Sequence, residues 1–245
     1  MDRKKESTKS LGNILRNSLK KAKEVFNVKK LYEQEDGIHY NYLNDMKKSA
    51  EAIKKFASML NSKIKERRNK ASNLFFYAAN TEINLLVGKE EFIKALSSSE
   101  TNVRRVASRC LEKIAAEENS IAEALPTLIS IASDRSENDE ETRQLAILAI
   151  ASSAKAGDDI SAAFEVLRQG LHSNYISIRQ ACSLALYYAA INQKTSKASI
   201  KILAEACKSS EDNADYFARG VISELLKKGG ENINDAIKDE IGTIS

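Results

Sequence analysis

The 245-residue sequence contains very few residues that make tight turns, with one proline and nine glycines. All-β domains need such residues at every hairpin, so their scarcity argues against strands and predicts long helices joined by short polar turns. Tryptophan is absent and aromatic residues make up only 6% of the chain. The core must therefore be built largely from Ala, Leu, Ile and Val, and helices lined with alanine can approach one another closely.

Long apolar runs are also missing. No stretch approaches the roughly twenty apolar residues of a membrane span, and the basic start has no apolar signal segment. The three cysteines are odd in number, widely spaced and embedded in apolar helical patterns: Cys110, Cys182 and Cys207. This usage predicts buried thiols in a reducing compartment, and we expect a cytoplasmic location.

Motifs for catalysis are scarce as well. The two histidines, His39 and His172, are far apart, and neither has a cysteine or second histidine at metal-ligand spacing. No nucleophile elbow, zinc-protease motif, dinucleotide fingerprint or phosphate loop occurs. The acidic run at 137–141 lacks the glycine and the bidentate last ligand of a calcium loop, which favours a solvated turn. We therefore expect no enzyme activity, no cofactor and no metal site.

The sequence does contain an internal repeat. From Arg104 onwards, Ala107, Cys110, Leu111 and Ile114 follow at 3, 6, 7 and 10 residues, the spacing of one face of an amphipathic helix. Equivalent copies begin at Arg143, Arg179 and Asp215, with a fainter earlier copy at Arg68. A shorter apolar helix and a polar turn rich in capping residues separate the copies. Recurrence at 36 to 39 residues predicts a repeat architecture.

The residues around the repeated arginines resemble those of a known repeat family. Val103–Ala107 and Ile178–Cys182 both read hydrophobic-Arg-x-x-small, which resembles the second helix of a HEAT repeat in the armadillo-like α-solenoid family. Pro126 fits too, because that family often kinks its first helix with proline. The resemblance implies an all-α, right-handed α-α superhelix of about four to five helix pairs with extra N-terminal helices. The sequence departs from the pattern at Asp215 and in the uneven turn at 134–141.

Four regions follow from these patterns. Residues 1–37 are predicted to form a basic amphipathic helix and a loop, and residues 38–80 an N-terminal helix pair that is a degenerate repeat. The first helix of that pair is predicted from about Tyr40 to Leu60. Residues 81–230 carry the HEAT-like repeats, and residues 231–245 a short helix or tail. Charge is divided unevenly, because residues 1–70 hold 19 Lys and Arg against 9 Asp and Glu, whereas the remainder is net acidic. The two parts face different partners or face each other.

The arginines at the shared repeat position form the main candidate site: Arg68, Arg104, Arg143 and Arg179. In a stack they should lie along one edge, and we call them the arginine ladder. One interpretation is structural, with each guanidinium pairing with a carbonyl or acidic group nearby, such as Glu66, Glu100 or Asp139. The other is functional, because forked donors spaced by one repeat suit an acidic peptide or a phosphate backbone.

Two functional hypotheses remain open. The first is a non-catalytic scaffold or adaptor that binds a protein or peptide on the concave surface lined by the second helices, partly through the arginine ladder. The second is nucleic-acid binding through the basic N-terminal region and the ladder, with these phosphate-binding candidates: Lys54, Lys55, Lys63, Lys65 and Arg67. Solenoids resembling this one include DNA-repair glycosylases, but the absence of tryptophan disfavours an enzyme that recognises bases by aromatic stacking.

Overall fold

The computed structural model describes residues 38–134, 139–192, 196–208 and 214–242. The chain divides into two compact units, residues 1–45 and Met46–Ser245. The first unit is described only from Ile38, where helix α1 (Ile38–Lys48) begins. The basic amphipathic helix and loop predicted within residues 1–37 lie outside the described residues. The remaining helices belong to the second unit, and the described residues contain no β-strand.

The second unit continues as a series of helices joined by short connections. They are α2 (Ala50–Met59), α3 (Lys65–Ala78), α4 (Lys89–Ala95), α5 (Thr101–Ala116), α6 (Leu125–Ser133), α7 (Glu140–Lys155), α8 (Phe164–Leu171), α9 (Ile176–Ile191), α10 (Ser196–Lys208), α11 (Ala214–Lys228) and α12 (Gly230–Ile241). The sequence pattern predicted one helix from about Tyr40 to Leu60, but the chain breaks at Ser49. The Ser49 hydroxyl accepts the N–H of Ala52 at 3.4 Å and so caps α2.

Consecutive helices pair, so that α2 and α3, α4 and α5, α6 and α7, α8 and α9, and α10 and α11 each form a first and a second helix. The second helices α5, α7 and α9 pack directly against one another. The repeated small and apolar positions are buried, with Ala107, Cys110, Leu111 and Ile114 at zero exposure. Burial of these stripes between neighbouring pairs confirms the predicted repeat solenoid.

The apolar positions of the fainter copy, which begins at Arg68, are buried as well. In α3, Ala71, Leu74, Phe75 and Ala78 are buried at the positions that the pattern assigns to them. The Phe75 ring meets Phe92 of α4 edge-on, with 4.9 Å between the ring centroids. The pair α2 and α3 is therefore packed onto the next repeat in the same way as the later pairs.

Three first helices begin with a short 3₁₀ turn that the sequence pattern did not predict. These turns are Leu86–Gly88, Ala122–Ala124 and Ser161–Ala163. A side-chain oxygen of Asn84, Ser120 or Asp159 accepts the N–H two residues further on and starts each turn. Pro126 follows the second turn at the start of α6, where its missing N–H costs nothing. Pro126 thus lies in a first helix, as the pattern predicted, within its first turn.

Asp158 connects the far ends of neighbouring repeats. It follows Gly157, which ends α7 with a φ of +94°, a conformation that glycine adopts without strain. Its carboxylate accepts hydrogen bonds from the Ser120 hydroxyl at 2.6 Å and from the Ile121 N–H at 3.0 Å. The Ser153 hydroxyl donates to the same carboxylate. One side chain thus joins the α5–α6 connection to the end of α7.

Candidate partner-binding surface

Three members of the arginine ladder bind the backbone of the turn that precedes their own helix. Arg68 donates to the Ser62 carbonyl at 2.6 Å, Arg104 donates to the Ser98 carbonyl at 2.8 Å, and Arg179 donates to the Ser173 carbonyl. Each carbonyl lies six residues before its arginine. These bonds satisfy carbonyl groups that the end of a first helix leaves without intrahelical partners.

The same three serines also shape the turn. The hydroxyls of Ser62, Ser98 and Ser173 each accept a backbone N–H two residues further on, at 3.2 Å in every case. Serine therefore fixes the turn through its side chain and receives the arginine through its carbonyl. This spacing of serine and arginine was readable in the sequence but was not used, and it is the signal that separates the structural arginines from the fourth.

Ion pairs connect successive repeats at this edge. Arg68 donates to the Glu100 carboxylate, and this contact lowers the pKa of Glu100 below its ordinary value and raises that of Arg68. Arg105 donates through Nε to Asp139 at 3.0 Å. Burial raises the pKa of Asp139, but the hydrogen bonds from Thr142 and Arg105 outweigh it and the pKa is lowered. Glu100 and Asp139 are thus used as partners, as the structural interpretation predicted, although Asp139 pairs with Arg105.

Arg143 departs from this arrangement. Its repeat is 39 residues after the previous one, and Glu137 takes the place of the serine six residues before it. Within the described part of the chain, the one hydrogen bond of its guanidinium runs from Nε to the Ala132 carbonyl at 3.4 Å, longer than an ordinary N–H···O bond. Both terminal nitrogens of Arg143 have no partner among the described residues. Arg143 is therefore the ladder member whose forked end is available to a ligand.

Arg143 lies in a cleft of about 310 Å³ between the third and fourth helix pairs. Apolar side chains of α7, α8 and α9 line one part, namely Ile147, Val166 and Ile178. The turn from His172 to Tyr175 provides most of the polar lining. The volume is at the lower end of the range for ligand sites, roughly 300–1,000 Å³.

Arg179 and the copy at Asp215 complete the ladder. Arg179 is buried, and its guanidinium lies 5.9 Å from the centroid of the Phe217 ring of α11. The side chain of Asp215 lies outside the described residues. In its repeat, Arg219, one helical turn later, donates to the Cys207 carbonyl of α10 at 2.9 Å. In the repeat that lacks the ladder arginine, an arginine of the second helix thus still bonds a backbone carbonyl of the first helix.

A second surface lies on the second helices, opposite the buried stripe. At 100° per residue, positions one and five after the ladder position point away from the core. We call the partly exposed residues at these positions the second-helix face: Arg105, Arg109, Gln144, Leu148, Gln180, Leu184, Tyr216 and Gly220. Arg105 and Arg109 are paired with acidic side chains. Gln144 and Gln180 have no hydrogen-bond partner among the described residues, so the face is neutral and unoccupied between α7 and α9.

Residues 90–186 match the sequence-family model of HEAT repeats. This chain is a HEAT-like α-solenoid. The matched residues span α4 to most of α9, the same pairs that carry the ladder arginines Arg104, Arg143 and Arg179. No curated protein sequence matches the chain.

Solved structures similar to the HEAT-like solenoid include designed repeat proteins. One is a computationally designed armadillo repeat protein for modular peptide recognition, with a TM-score of 0.60 and 18% identity over 78% of this chain and 89% of that chain. Another is a designed armadillo repeat protein in complex with the peptide (KR)4, with a TM-score of 0.57 and 14% identity over 77% and 87%. At such identities the likeness concerns the fold alone.

The basic candidates of the solenoid are all on its surface. Lys54 and Lys55 lie on α2, Lys63 lies in the connection to α3, and Lys65 and Arg67 lie on the first turn of α3. All five side chains are exposed, and none forms an ion pair with another described residue. Lys65 acts on Glu100 only at longer range, where its charge helps to lower the pKa of that carboxyl group. The predicted basic cluster thus lies on one helix pair, where its members form no ion pair with the other described residues.

The three cysteines of the solenoid lie in its interior. Cys110, Cys182 and Cys207 are free and buried, as predicted. Burial raises the pKa of the Cys182 thiol to about 12, and it raises that of Cys110 as well, so both remain protonated. In the part of the chain that the structure describes, no three His, Cys, Asp or Glu residues are grouped to hold a metal ion. None of the described helices combines the length and apolarity of a membrane span.

Proposed function

We propose that this solenoid is a non-catalytic scaffold or adaptor that binds a protein or peptide partner on its second-helix face. The observation that carries the proposal is the neutral stretch formed by Gln144, Leu148, Gln180 and Leu184, each of which remains partly exposed. Leucines provide apolar contact area, and amide side chains can donate to and accept from a peptide backbone. We further propose a cytoplasmic location, which free buried thiols suit.

The structural neighbours support this proposal. A designed armadillo protein of the same architecture holds the peptide (KR)4, and another was designed for modular peptide recognition. A stack of helix pairs presents equivalent positions at a regular spacing, and an extended peptide also presents its side chains at a regular spacing. The partner of this chain differs from those peptides in chemistry, because the face here is neutral between α7 and α9.

The four ladder arginines differ in their proposed roles. Arg68, Arg104 and Arg179 use their guanidinium groups to hold the turn before their own helix. Arg143 does so only through a long bond from Nε. We therefore propose Arg143 as the partner-binding member, with the other three keeping the edge of the stack in register.

Affinity capture with a surface variant tests the proposed function. Leu184→Lys places a charge on the second-helix face, where a flexible side chain can extend to solvent without unfolding α9. Leu86→Lys is the matched control, since Leu86 is 37% exposed in the 3₁₀ turn before α4. We expect wild type and the control to capture the same protein at low salt and the Leu184 variant to lose it, with unchanged helicity. Equal capture by all three would remove the face from the site, and capture of no protein would contradict the function.

Nucleic-acid binding is the second candidate. It is favoured by the exposed cations Lys54, Lys55, Lys63 and Arg67, which have no acidic partner among the described residues. Such a surface should bind oligonucleotides with an affinity that falls steeply between about 50 and 200 mM salt. Fluorescence anisotropy with single- and double-stranded oligonucleotides measures this directly. Replacing Lys63 and Arg67 by glutamine should lower the salt slope by about two, and binding that does not depend on salt would dismiss the candidate.

A further inference from the structure

The search for a ligand site leads to the cleft around Arg143. In the sequence, Glu137 stands six residues before Arg143, where its counterparts have the serine whose carbonyl they bind. Its side chain is half-buried against the cleft, and its terminal nitrogens have no partner among the described residues. A guanidinium in that position offers two parallel N–H donors, the geometry that matches a carboxylate.

The groups around Arg143 restrict the charge that a ligand of the cleft can carry. Among the described residues that line the cleft, Arg143 is accompanied by one other basic side chain, His172, and the rest carry no charge, including Gln169, Asn174 and Tyr175. Two carboxylates stand at the start of the same helix, where Glu140 accepts from Ser177 and Glu141 pairs with Arg105 at 3.1 Å. A polyanion would bring several charges close to these carboxylates. A single carboxylate can reach Arg143 without that repulsion.

Apolar surface adjoins the cation. Tyr175 is 48% exposed at the cleft, and the next residue, Ile176, is 57% exposed. Ile147, Val166 and Ile178 line the interior. A residue next to the carboxylate could therefore bury an apolar side chain, and about 310 Å³ suits a short segment of peptide.

From this arrangement we propose that the cleft binds an acidic side chain of the protein partner, an Asp or Glu flanked by an apolar residue, with Arg143 as the bidentate donor to its carboxylate. The proposal rests on the proposed function, because it names the chemistry of the peptide that the scaffold holds. It commits to a peptide carboxylate rather than to a nucleic-acid phosphate.

Blocked pentapeptide libraries supply the probe. Three libraries have Glu, Gln or Lys fixed at the central position and all other positions randomised, so that Glu and Gln differ in charge but hardly in shape. The readouts are fluorescence anisotropy and the ¹⁵N resonance of the Arg143 Nε–H, which is assigned by its loss in Arg143→Gln. Lys201→Gln is the matched control, since Lys201 is an exposed cation on α10 and does not line the cleft.

We expect the Glu library to bind and to shift the Arg143 resonance, and the Gln and Lys libraries to leave it unchanged. Arg143→Gln should weaken binding of the Glu library by about tenfold or more, the usual effect of losing charge-assisted hydrogen bonds, whereas Lys201→Gln should not. Arg143→Lys should recover only part of the affinity because it keeps the charge but loses the fork.

The other outcomes overturn the inference. Equal binding of the Glu and Gln libraries, unchanged affinity in Arg143→Gln, or binding of no library would each exclude a carboxylate site at Arg143. A single-stranded oligonucleotide that shifts the Arg143 resonance while the Glu library does not would assign the cleft to phosphate. None of these results bears on capture of a protein by the second-helix face. The capture experiment with Leu184→Lys therefore remains a separate test of the proposed function.

Discussion

Arg143 and Arg179 occupy the same repeat position in two very different environments. Arg179 is 7% exposed, bonds the Ser173 carbonyl and lies over the Phe217 ring. Arg143 is half-buried and makes one long hydrogen bond. The repeat position alone therefore does not decide whether an arginine stabilises the stack or remains available to a partner.

The stabilities of two alanine variants should show this difference. Arg179→Ala removes a packed stem, a carbonyl bond and a ring contact, and should lower the free energy of unfolding by about 2–3 kcal/mol. Arg143→Ala should lower it by less than ~1 kcal/mol. Urea unfolding followed by circular dichroism measures both. Equal costs for the two variants would show that Arg143 is also a structural residue.

Gly170 marks the closest approach of a first helix to a second helix. A Cβ at this position would lie 2.2 Å from the Cys182 Sγ, far inside van der Waals contact. The conformation of Gly170 is helical, so it is the space between α8 and α9 that requires glycine here.

Gly170→Ala should therefore destabilise the protein by about 1–3 kcal/mol through overpacking. The double variant Gly170→Ala with Cys182→Ala removes the sulfur atom and should recover most of that loss. The free energies of unfolding of both single variants and the double variant form a complete cycle. Costs that simply add would mean that the two side chains do not compete for the same space.

At the scale of the helices, α3 and α5 meet through a polar network on one side of the stack. Arg109 donates to the Asn80 side chain at 3.0 Å and pairs with Glu112 at 3.2 Å. Lys113 donates to the Thr81 carbonyl at 2.8 Å. Burial raises the pKa of Glu112, although Arg109 and Lys113 oppose this effect.

The raised pKa has a defined consequence for stability. The folded state holds the Glu112 proton more tightly than the unfolded state, so this group lowers the free energy of unfolding as pH rises through the folded pKa. The free energy of unfolding of Glu112→Gln minus that of wild type should accordingly become more positive between about pH 3.5 and pH 7.5. Urea titrations at several pH values measure this difference. A difference that becomes more negative with rising pH would show that Arg109 dominates and that the pKa is lowered.

Helices were easier to predict than their ends. The spacing of Ala107, Cys110, Leu111 and Ile114 identified the second helices because burial in a stack imposes a 3.6-residue period. The break at Ser49 and the 3₁₀ turns before the first helices were not predicted, because single hydrogen bonds from short polar side chains decide them. Pro126 was expected inside a helix and lies in the first turn of α6, which follows the 3₁₀ turn Ala122–Ala124.

For the whole molecule, the repeat architecture followed from the sequence, whereas the position of the cleft did not. Each helix pair needs neighbours to bury its stripe, so five copies of the pattern were enough to predict a stack. The cleft depends on how Arg143 lies against α8 and α9, which are distant from it in the sequence. The uneven turn at 134–141 was visible as a departure from the pattern, but only coordinates show that Arg143 bonds the Ala132 carbonyl through Nε.

The central claim concerns the surface of the stack, namely that the partner binds on the second helices. Site-specific photo-crosslinking in cells tests it most directly, with a benzoylphenylalanine placed at Gln180 of α9 or, as a control, at exposed Lys201 of the first helix α10. We expect a discrete protein adduct from position 180 and none from position 201. Adducts from position 201 alone, or adducts to nucleic acid only, would contradict the account.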